Sequence, residues 1–415
     1  MKQQLFSTTL DNGLTILGET MPGVESAAVA FHVPAGSIHD PPGRCGLATL
    51  AGEMCLRGAG GRTSRGIVEA LEGVGVQWGH AVSTTHTSFS GAMVARQLPA
   101  VLPVYADILR QPTLPAEEFE GAREMVLQNL AGIEDDPAHR TLAALRMMHL
   151  PNPWGRPTEG VTADVESMTI DDVCGFVAGR MRPADMIVAI AGRIDWDDFV
   201  RQIDALFGDW QGSGATPVPA GLRGPHVGHV PHDSQQTHIA LAWSLPPYRS
   251  DDSAIAGAVV SMLGGGASSR LFTEVRERRA LCYGVSAGYQ TQRDFAAGIC
   301  HAGTTAARAQ ETLDVILAEL DRLPGSIEAD ELERVKARVT SGLVMQQEST
   351  GARVGSMARQ WYHLGRIRSI DEELTRYDQL DVPTIEQWLA TQPPRDLTVV
   401  SLGCDPLEVP GAIPA

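Results

Sequence analysis

Histidines are the side chains in this sequence whose type and spacing could most directly hold a metal ion. Four of them lie close together near the middle of the chain: His226, His229, His232 and His238. Imidazoles at such spacing can bind zinc or nickel. The segment that carries them has the composition of a flexible linker and contains no Cys or Glu, so we predict no resident metal there.

Two further features resemble sites but favour structural interpretations. His80 and His86 lie in a polar, strand-like run, and their even spacing would put both on one face of a sheet. We interpret them as exposed sheet residues rather than metal ligands. The run GGGASSR at 264–270 is glycine-rich, but it follows a helix-like segment and lacks the Gly-Lys-Ser/Thr ending of a phosphate-binding loop. We interpret it as the turn that ends a helix.

The elements that must position such residues occur in the same order in both halves of the chain. SFSGAM at 88–93 matches FAAGIC at 295–300, and PAEEFEGARE at 115–124 matches EADELERVKA at 328–337. Residues between the halves are rich in Gly, Pro and His. We therefore predict an N-terminal lobe at 1–212, a linker at 213–234 and a C-terminal lobe at 235–415. Each lobe is predicted to be α+β, an antiparallel-rich sheet with helices on one face.

Composition and charge exclude several classes of protein. The 33 basic and 50 acidic residues give a net charge of −17, which argues against binding to nucleic acid or to anionic membranes. No apolar run approaches the roughly 20 residues of a membrane-spanning helix, and the N-terminus lacks a secretory signal. The six cysteines are scattered, without a CxxC pair. A cytoplasmic protein is therefore predicted; a periplasmic one stays open if a signal was removed.

Two long segments resemble the pitrilysin/insulinase-type zinc peptidases, or inverzincins, which include the mitochondrial processing peptidase. The run PAGSIHDPPGRCGLATLAGEMCLRGAGGRTSRGIVEALEGVGV is similar to the family pattern G-S-x-x-(D/E), G-L-A-H-x-x-E-H-M and (K/R)-G-(T/A). GGGASSRLFTEVRERRALCYGVSAGY is similar to G-G-G-x-S-S-R-L-x-x-x-(L/V)-R-E-x-x-x-L-x-Y-x-V. The resemblance covers essentially the whole chain. It implies a processing-peptidase-like half of a clam-shell with two homologous lobes.

The sequence departs from this family where the metal would bind. In active members, two His and a more distant Glu hold the zinc, and the Glu between the two His is the general base. The resemblance places Thr49 and Glu53 at the His positions, Gly52 at the base position and Asn129 at the third ligand. These residues offer one charged donor, whereas a hydrolytic zinc needs three good ones. We therefore expect no zinc in this chain and no hydrolysis by the chain alone.

The second half keeps a pair that the family uses. The resemblance places the family's Arg and Tyr at Arg276 and Tyr283, which would support peptide binding and the oxyanion in a neighbouring zinc site. It thus implies the zinc-less subunit of a heterodimeric endopeptidase, with zinc in a homologous partner and unfolded peptides as substrates. The alternative is a structural or assembly protein of the same fold, a homodimer or scaffold without a peptidase role. A third possibility is an enzyme that carries out different chemistry in the cleft where active members bind zinc. It ranks last because Thr49, Gly52, Glu53 and Asn129 form no nucleophile–base pair.

Overall fold

The fold consists of two compact α+β units, each built around one sheet. The structure, a computed structural model, describes residues 3–214 and 216–410. Unit 1 comprises the described residues of Met1–Gly132, Arg156–Ala220 and Met345–Ser369, and unit 2 comprises those of Ile133–Gly155, Gly221–Val344 and Ile370–Ala415. The predicted α+β class with two homologous lobes is confirmed.

Strands and helices alternate along the described chain, and their bounds are as follows. The strands are β1 (Gln4–Thr9), β2 (Thr15–Thr20), β3 (Ser26–Val33), β4 (Gly58–Ala59), β5 (Arg62–Thr63), β6 (Gln77–Val82), β7 (Thr87–Val94), β8 (Ile187–Gly192), β9 (Val227–Pro231), β10 (Gln236–Leu245), β11 (Cys282–Thr291), β12 (Ala296–Thr305) and β13 (Thr398–Gly403). The helices are α1 (Leu47–Cys55), α2 (Ser64–Glu72), α3 (Leu98–Arg110), α4 (Phe119–Glu134), α5 (Pro137–His149), α6 (Thr162–Ser167), α7 (Ile170–Arg180), α8 (Trp196–Phe207), α9 (Ser253–Gly264), α10 (Ala309–Arg322), α11 (Ala329–Gln346), α12 (Thr350–Leu364), α13 (Ile370–Asp378) and α14 (Val382–Thr391). Phe272–Arg278 forms a π-helical turn.

The sheet of unit 1 has the strand order β1-β2-β8-β3-β7-β6, in which only the β2–β8 pair is parallel. One face packs against α3 and α8, where the Phe31 ring lies 5.1 Å from Tyr105 and 5.8 Å from Phe207. Successive strand residues point to opposite faces. Ala28 and Ala30 therefore face the other way, toward α12.

The sheet of unit 2 repeats this topology without an equivalent of β1. Its order β9-β13-β10-β12-β11 matches β2-β8-β3-β7-β6, and its β13–β9 pair is the parallel one. Helices α9, α10 and α14 supply much of the apolar core on one face. On the other face, Leu145 of α5 packs against Ala240 and Ala242.

Each sheet thus carries one helix on the face opposite its main helical layer, in addition to the predicted layer. The first half of the sequence supplies α5 to unit 2, and the second half supplies α12 to unit 1. Both faces of the central strands are consequently buried, and every residue of β8 and β13 is buried. In unit 1, a buried ion pair between Arg353 Nε and Glu19 Oε2, at 2.6 Å, also fixes α12 to β2.

Several sequence predictions differ from the structure. The predicted linker at 213–234 contains β9, whose backbone pairs with β13, so this stretch is partly ordered into the sheet of unit 2. The chain also passes between the units at points outside that stretch, because α5 and α12 are exchanged. The prediction that His80 and His86 share a sheet face is wrong. His80 lies on β6, and His86 lies in the turn that joins β6 to β7.

The interpretation of the glycine-rich run as the end of a helix agrees with the structure, because α9 ends at Gly264, at the start of that run. Asn12 and Gly13 form the turn between β1 and β2. The six cysteines are free thiols. Among the described residues, we find no helix with the length and apolar character that a membrane span requires.

Candidate functional site

The first helix of unit 1, α1, carries Thr49, Gly52 and Glu53, three of the four positions that the sequence resemblance matches to catalytic groups. Asp40 fixes the start of this helix, because its carboxylate accepts N–H bonds from Gly46 and Ala48, both at 2.8 Å. Burial raises the pKa of Asp40 to about 6, against the opposing effect of these backbone N–H groups. Gly46 has φ +105°, a left-handed conformation that glycine adopts without strain.

The side chains at these positions are engaged in contacts within unit 1. The Thr49 hydroxyl donates to the Thr158 carbonyl at 2.6 Å. The Glu53 carboxylate accepts from Arg57, which lies just beyond the end of α1, with Nη2 at 2.9 Å and Nε at 3.1 Å. Gly52 is buried, and its missing side chain faces Thr87 and His80. The Glu53 side chain is only 12% exposed, so neighbouring residues cover most of it.

Asn129 lies on α4, and its side chain is exposed. Met125 of α4 approaches the segment just after α1, with its Sδ 3.8 Å from Arg57 Nη2. Among the described residues, Asn129 makes no hydrogen bond to Thr49 or Glu53. The three positions that the resemblance matches to zinc ligands therefore lie on two helices, and hydrogen bonds do not join them.

His80 places an imidazole close to Glu53. Its Nε2 lies 3.8 Å from Glu53 Oε2, and burial lowers its pKa while the Glu53 charge acts in the opposite direction. Sequence reasoning missed the arrangement of His80, Glu53 and Arg57. The i,i+4 spacing of Glu53 and Arg57 was a usable signal for the ion pair. The approach of His80 required the tertiary fold.

The residues present do not fit a zinc ion. Zinc in a hydrolase takes three protein donors, usually His or carboxylate. Here the Glu53 carboxylate is neutralised by Arg57, the Thr49 hydroxyl is a donor to a carbonyl, and Asn129 faces outward. Within residues 3–214 and 216–410, no three His, Cys, Asp or Glu side chains are grouped so that they could hold a metal ion.

In unit 2, Arg276 projects from the π-helical turn as an exposed side chain. Its guanidinium lies over the Phe272 ring, with Cζ 4.6 Å from the ring centroid. The neighbouring Arg278 and Arg279 both pair with the buried carboxylate of Glu274. Among the described residues, Arg276 makes neither a side-chain hydrogen bond nor an ion pair.

Tyr283 lies on β11, the edge strand of the unit 2 sheet, and is 82% exposed. Cys282 pairs with Thr304 and Gly284 pairs with Gly303, so Tyr283 is the extra residue of a β-bulge. A bulge re-aims a side chain and is common beside active sites. In the part of the chain that the structure describes, the Tyr283 hydroxyl has no hydrogen-bond partner, whereas that of Tyr289 donates to the Pro246 carbonyl at 2.6 Å.

Backbone bonds fix the seven-residue connection from Arg276 to Tyr283. The Ala280 N–H donates to the Arg276 carbonyl at 3.1 Å, and the Leu281 N–H donates to the Val275 carbonyl at 2.9 Å. The Thr304 hydroxyl donates to the Leu281 carbonyl at 2.5 Å. Arg276 and Tyr283, the pair predicted from the sequence, therefore lie on one continuous turn-and-strand element. The guanidinium and the phenol hydroxyl are both exposed to solvent.

Comparison with protein-family models identifies both halves of the chain. Residues 15–158 match the model described as insulinase, peptidase family M16, and residues 167–339 match the model described as peptidase M16 inactive domain. Together these matches cover well over half of the sequence. The chain belongs to the insulinase (M16) peptidase family.

Curated relatives and solved structures agree with this assignment to the M16 family. An uncharacterized zinc protease of Mycobacterium tuberculosis is 30% identical over 391 residues, which cover 91% of this chain and 88% of the relative. One of Bacillus subtilis is 24% identical and covers 91% of this chain and 93% of the relative.

Solved structures share the fold at lower sequence identity. A peptidase M16 inactive domain of Pseudomonas fluorescens superposes with a TM-score of 0.87 at 19% identity, over 98% of this chain and 99% of the other. A Helicobacter pylori protease has a TM-score of 0.89 at 18% identity, over 97% and 100%. A chain of Complex III2 from Candida albicans has a TM-score of 0.83 at 18% identity, over 97% and 96%.

Proposed function

We propose that this chain is the zinc-less subunit of a heterodimeric M16 metalloendopeptidase. In this proposal, Arg276 and Tyr283 serve an active site whose zinc is held by a homologous partner subunit. The observation that carries the proposal is a contrast within one chain. The positions matched to zinc ligands supply one charged donor, Glu53, while Arg276 and Tyr283 are exposed and make no side-chain hydrogen bond or ion pair within the described residues.

The chemistry of the two side chains suits peptide hydrolysis. A phenol O–H can donate to the oxyanion that develops on the scissile carbonyl, and such a donor is most effective when its position is fixed beforehand. The bulge on β11 supplies that fixed position for Tyr283. A guanidinium offers a planar fork of N–H donors to a carbonyl or carboxylate of the bound peptide.

Binding of the peptide itself would fall mainly to the partner. An extended peptide can add as a strand to a sheet edge, so that main-chain hydrogen bonds supply affinity with little sequence preference. Unfolded peptides are the expected substrates for such a site. The proposal places the assembly in the cytoplasm, where the six free thiols would stay reduced.

A scaffold or homodimer without a peptidase role is the second candidate. The structural similarity to a chain of Complex III2 favours it, because that assembly is not named as a protease. A scaffold has no need for an exposed Arg276 and Tyr283 without partners. The two candidates therefore differ in what substitution of these residues does.

The test mixes the purified chain with its homologue that carries H-x-x-E-H, sought first in the adjacent reading frame, and follows cleavage of a quenched fluorescent unfolded peptide. We expect the mixture to cleave and each subunit alone to be inactive. Tyr283→Phe should lower kcat of the mixture on the order of 10²-fold, the usual cost of losing one oxyanion donor.

Tyr289→Phe is the matched control. Tyr289 lies on the same strand, but its hydroxyl is used internally by the Pro246 carbonyl, so its loss should affect stability and leave turnover unchanged. Normal turnover with Tyr283→Phe, or a partner that is fully active without this chain, would rule out the proposed role.

A further inference from the structure

We infer that Phe272 is a positioning residue for Arg276, holding the guanidinium so that its N–H fork faces a bound peptide. This inference rests on the proposed function, in which Arg276 anchors substrate. Phe272 precedes Arg276 by four residues in the π-helical turn, which places both side chains on nearly the same face. The distance of 4.6 Å from Cζ to the ring centroid is well within cation–π range.

The chain contains a second Phe–Arg pair at the same spacing, and the comparison is informative. In unit 1, Arg123 Cζ lies 5.5 Å from the Phe119 ring centroid on α4. Arg123, however, donates to the Glu120 carboxylate at 2.5 Å and to the Glu166 and Met168 carbonyls at 3.2 and 3.4 Å. Its position is explained by these acceptors, so the Phe119 ring is not needed to hold it.

Arg276 has no such acceptor in the described part of the chain, although the protein has an excess of acidic residues. The two arginines that follow it share Glu274, which leaves Arg276 as the cation of this turn without an acidic partner. An exposed arginine without hydrogen-bond or ion-pair partners samples many rotamers. Binding then carries the entropic cost of restricting the side chain to one of them. The Phe272 ring restricts the guanidinium plane while leaving the edge of the fork open.

The backbone of this turn is already fixed, so the side chain is the remaining source of disorder. The Arg276 carbonyl accepts the Ala280 N–H, and the Val275 carbonyl accepts the Leu281 N–H. Loss of the Phe272 ring should therefore loosen the Arg276 side chain without moving its backbone.

The first measurement uses the full chain alone, labelled with ¹⁵N and ¹³C in arginine side chains. Arg276→Lys assigns the Nε–Hε signal of Arg276. We expect this signal to be ordered and shifted upfield by the ring in the wild type and in Phe272→Tyr, and to become mobile and lose the shift in Phe272→Leu. A wild-type Arg276 signal that is mobile and unshifted would overturn the inference, even if Phe272→Leu fails to fold.

The second measurement uses the mixture with the zinc-bearing homologue. Phe272→Leu should raise KM about three- to five-fold with kcat unchanged, the fold-change that a cation–π contact at an exposed site represents. Phe272→Tyr should restore the wild-type KM. A variant that is merely destabilised would instead lower the active fraction, and hence kcat.

The outcomes separate this inference from the proposed function. If Arg276→Ala raises KM but Phe272→Leu does not, the positioning role of Phe272 is wrong and the proposed function stands. If neither Arg276→Ala nor Tyr283→Phe alters the mixture, the proposed function is wrong. The inferred substrate role of Phe272 then falls with it, whatever the signal of Arg276 shows.

Discussion

At the scale of single residues, α1 is a well-formed helix whose side chains differ from the family pattern at the positions matched to zinc ligands. Asp40 fixes its start, Gly46 precedes it in a left-handed conformation, and its apolar face is buried. Gly52 stands where the resemblance places the general base, and a Cβ there would lie 3.4 Å from Thr87 Cγ2 and 3.5 Å from His80 Cδ2. These are ordinary van der Waals distances, so packing does not require glycine.

Gly52→Ala is therefore expected to stabilise the protein by about 0.5–1 kcal/mol, since alanine is the better helix former and the space is available. Gly46→Ala is the matched control at the N-cap of the same helix. Its Cβ would lie 2.8 Å from Gly160 Cα, and φ is +105°, so a loss of more than about 1 kcal/mol is expected. Denaturant unfolding measures both changes. If Gly52→Ala lowered the free energy of unfolding as much as Gly46→Ala, the space beside Gly52 could not accept a methyl group.

Sequence reasoning was strongest at this scale where a motif fixed the position. Thr49, Gly52 and Glu53, which the family pattern singles out, lie on one helix, and Tyr283 lies at the start of a strand. It was weakest where a side chain finds a partner from a distant segment. The burial of Glu53 depends on packing around Arg57 and His80, which no local pattern reports.

At the scale of elements, the exchange of α5 and α12 is the feature that the sequence did not predict. Strands β8 and β13 are buried on both faces, although β13 includes Thr398 and Ser401. The pattern of an amphipathic helix, however, does not say which sheet it covers. Only the structure shows that α12 packs on unit 1, with Arg353 buried against Glu19.

Four histidines gather where α12 covers the sheet of unit 1. They are His32 on β3, His39 in the turn before α1, His86 in the β6–β7 turn and His363 on α12. Burial lowers the pKa of His32 and of His39 to about 4, with Arg180 adding to the effect on His39. Burial, with the other three histidines, lowers the pKa of His86 to about 3, and its ring packs 4.9 Å from Tyr362.

The sign of the resulting pH dependence follows from these shifts. An unfolded histidine titrates near pH 6.5. Below that pH the unfolded state therefore binds more protons than the folded state, in which the pKa of these histidines is lower. The contribution of each histidine to the free energy of unfolding is fully present above pH 6.5. It is lost as the pH falls toward 4, or toward 3 for His86. Asp40, whose pKa is raised to about 6, works in the opposite direction.

His86→Phe should therefore flatten the loss of stability between pH 6.5 and 4 by about 1.4 kcal/mol per pH unit, the contribution of one titrating group. Denaturant unfolding at several pH values measures this slope. An unchanged slope in His86→Phe would show that His86 takes up protons in the folded state.

At the scale of the whole molecule, the chain is a duplicated fold in which the two copies have diverged. The strand order of unit 2 repeats five strands of unit 1, including the single parallel pair. The order of elements in the sequence was enough to predict this duplication. The positions that the resemblance matches to zinc ligands fall in unit 1, and Arg276 and Tyr283 fall in unit 2.

The acidic surface and the composition set limits that the fold does not alter. A net charge of −17 opposes binding to nucleic acid, and family membership agrees with peptide substrates. The identity of a partner subunit cannot be read from composition or from strand order. That identity depends on how well the two subunit surfaces fit, and a different sequence encodes the partner's surface.

Zinc titration of the pure chain, combined with a hydrolysis assay on the same sample, tests the loss of the metal site most directly. We expect no stoichiometric zinc after metal-free gel filtration and no cleavage of an unfolded peptide, because Thr49, Glu53 and Asn129 supply at most one charged donor. One tightly held zinc per chain, with peptide cleavage that a chelator abolishes, would contradict the proposed function.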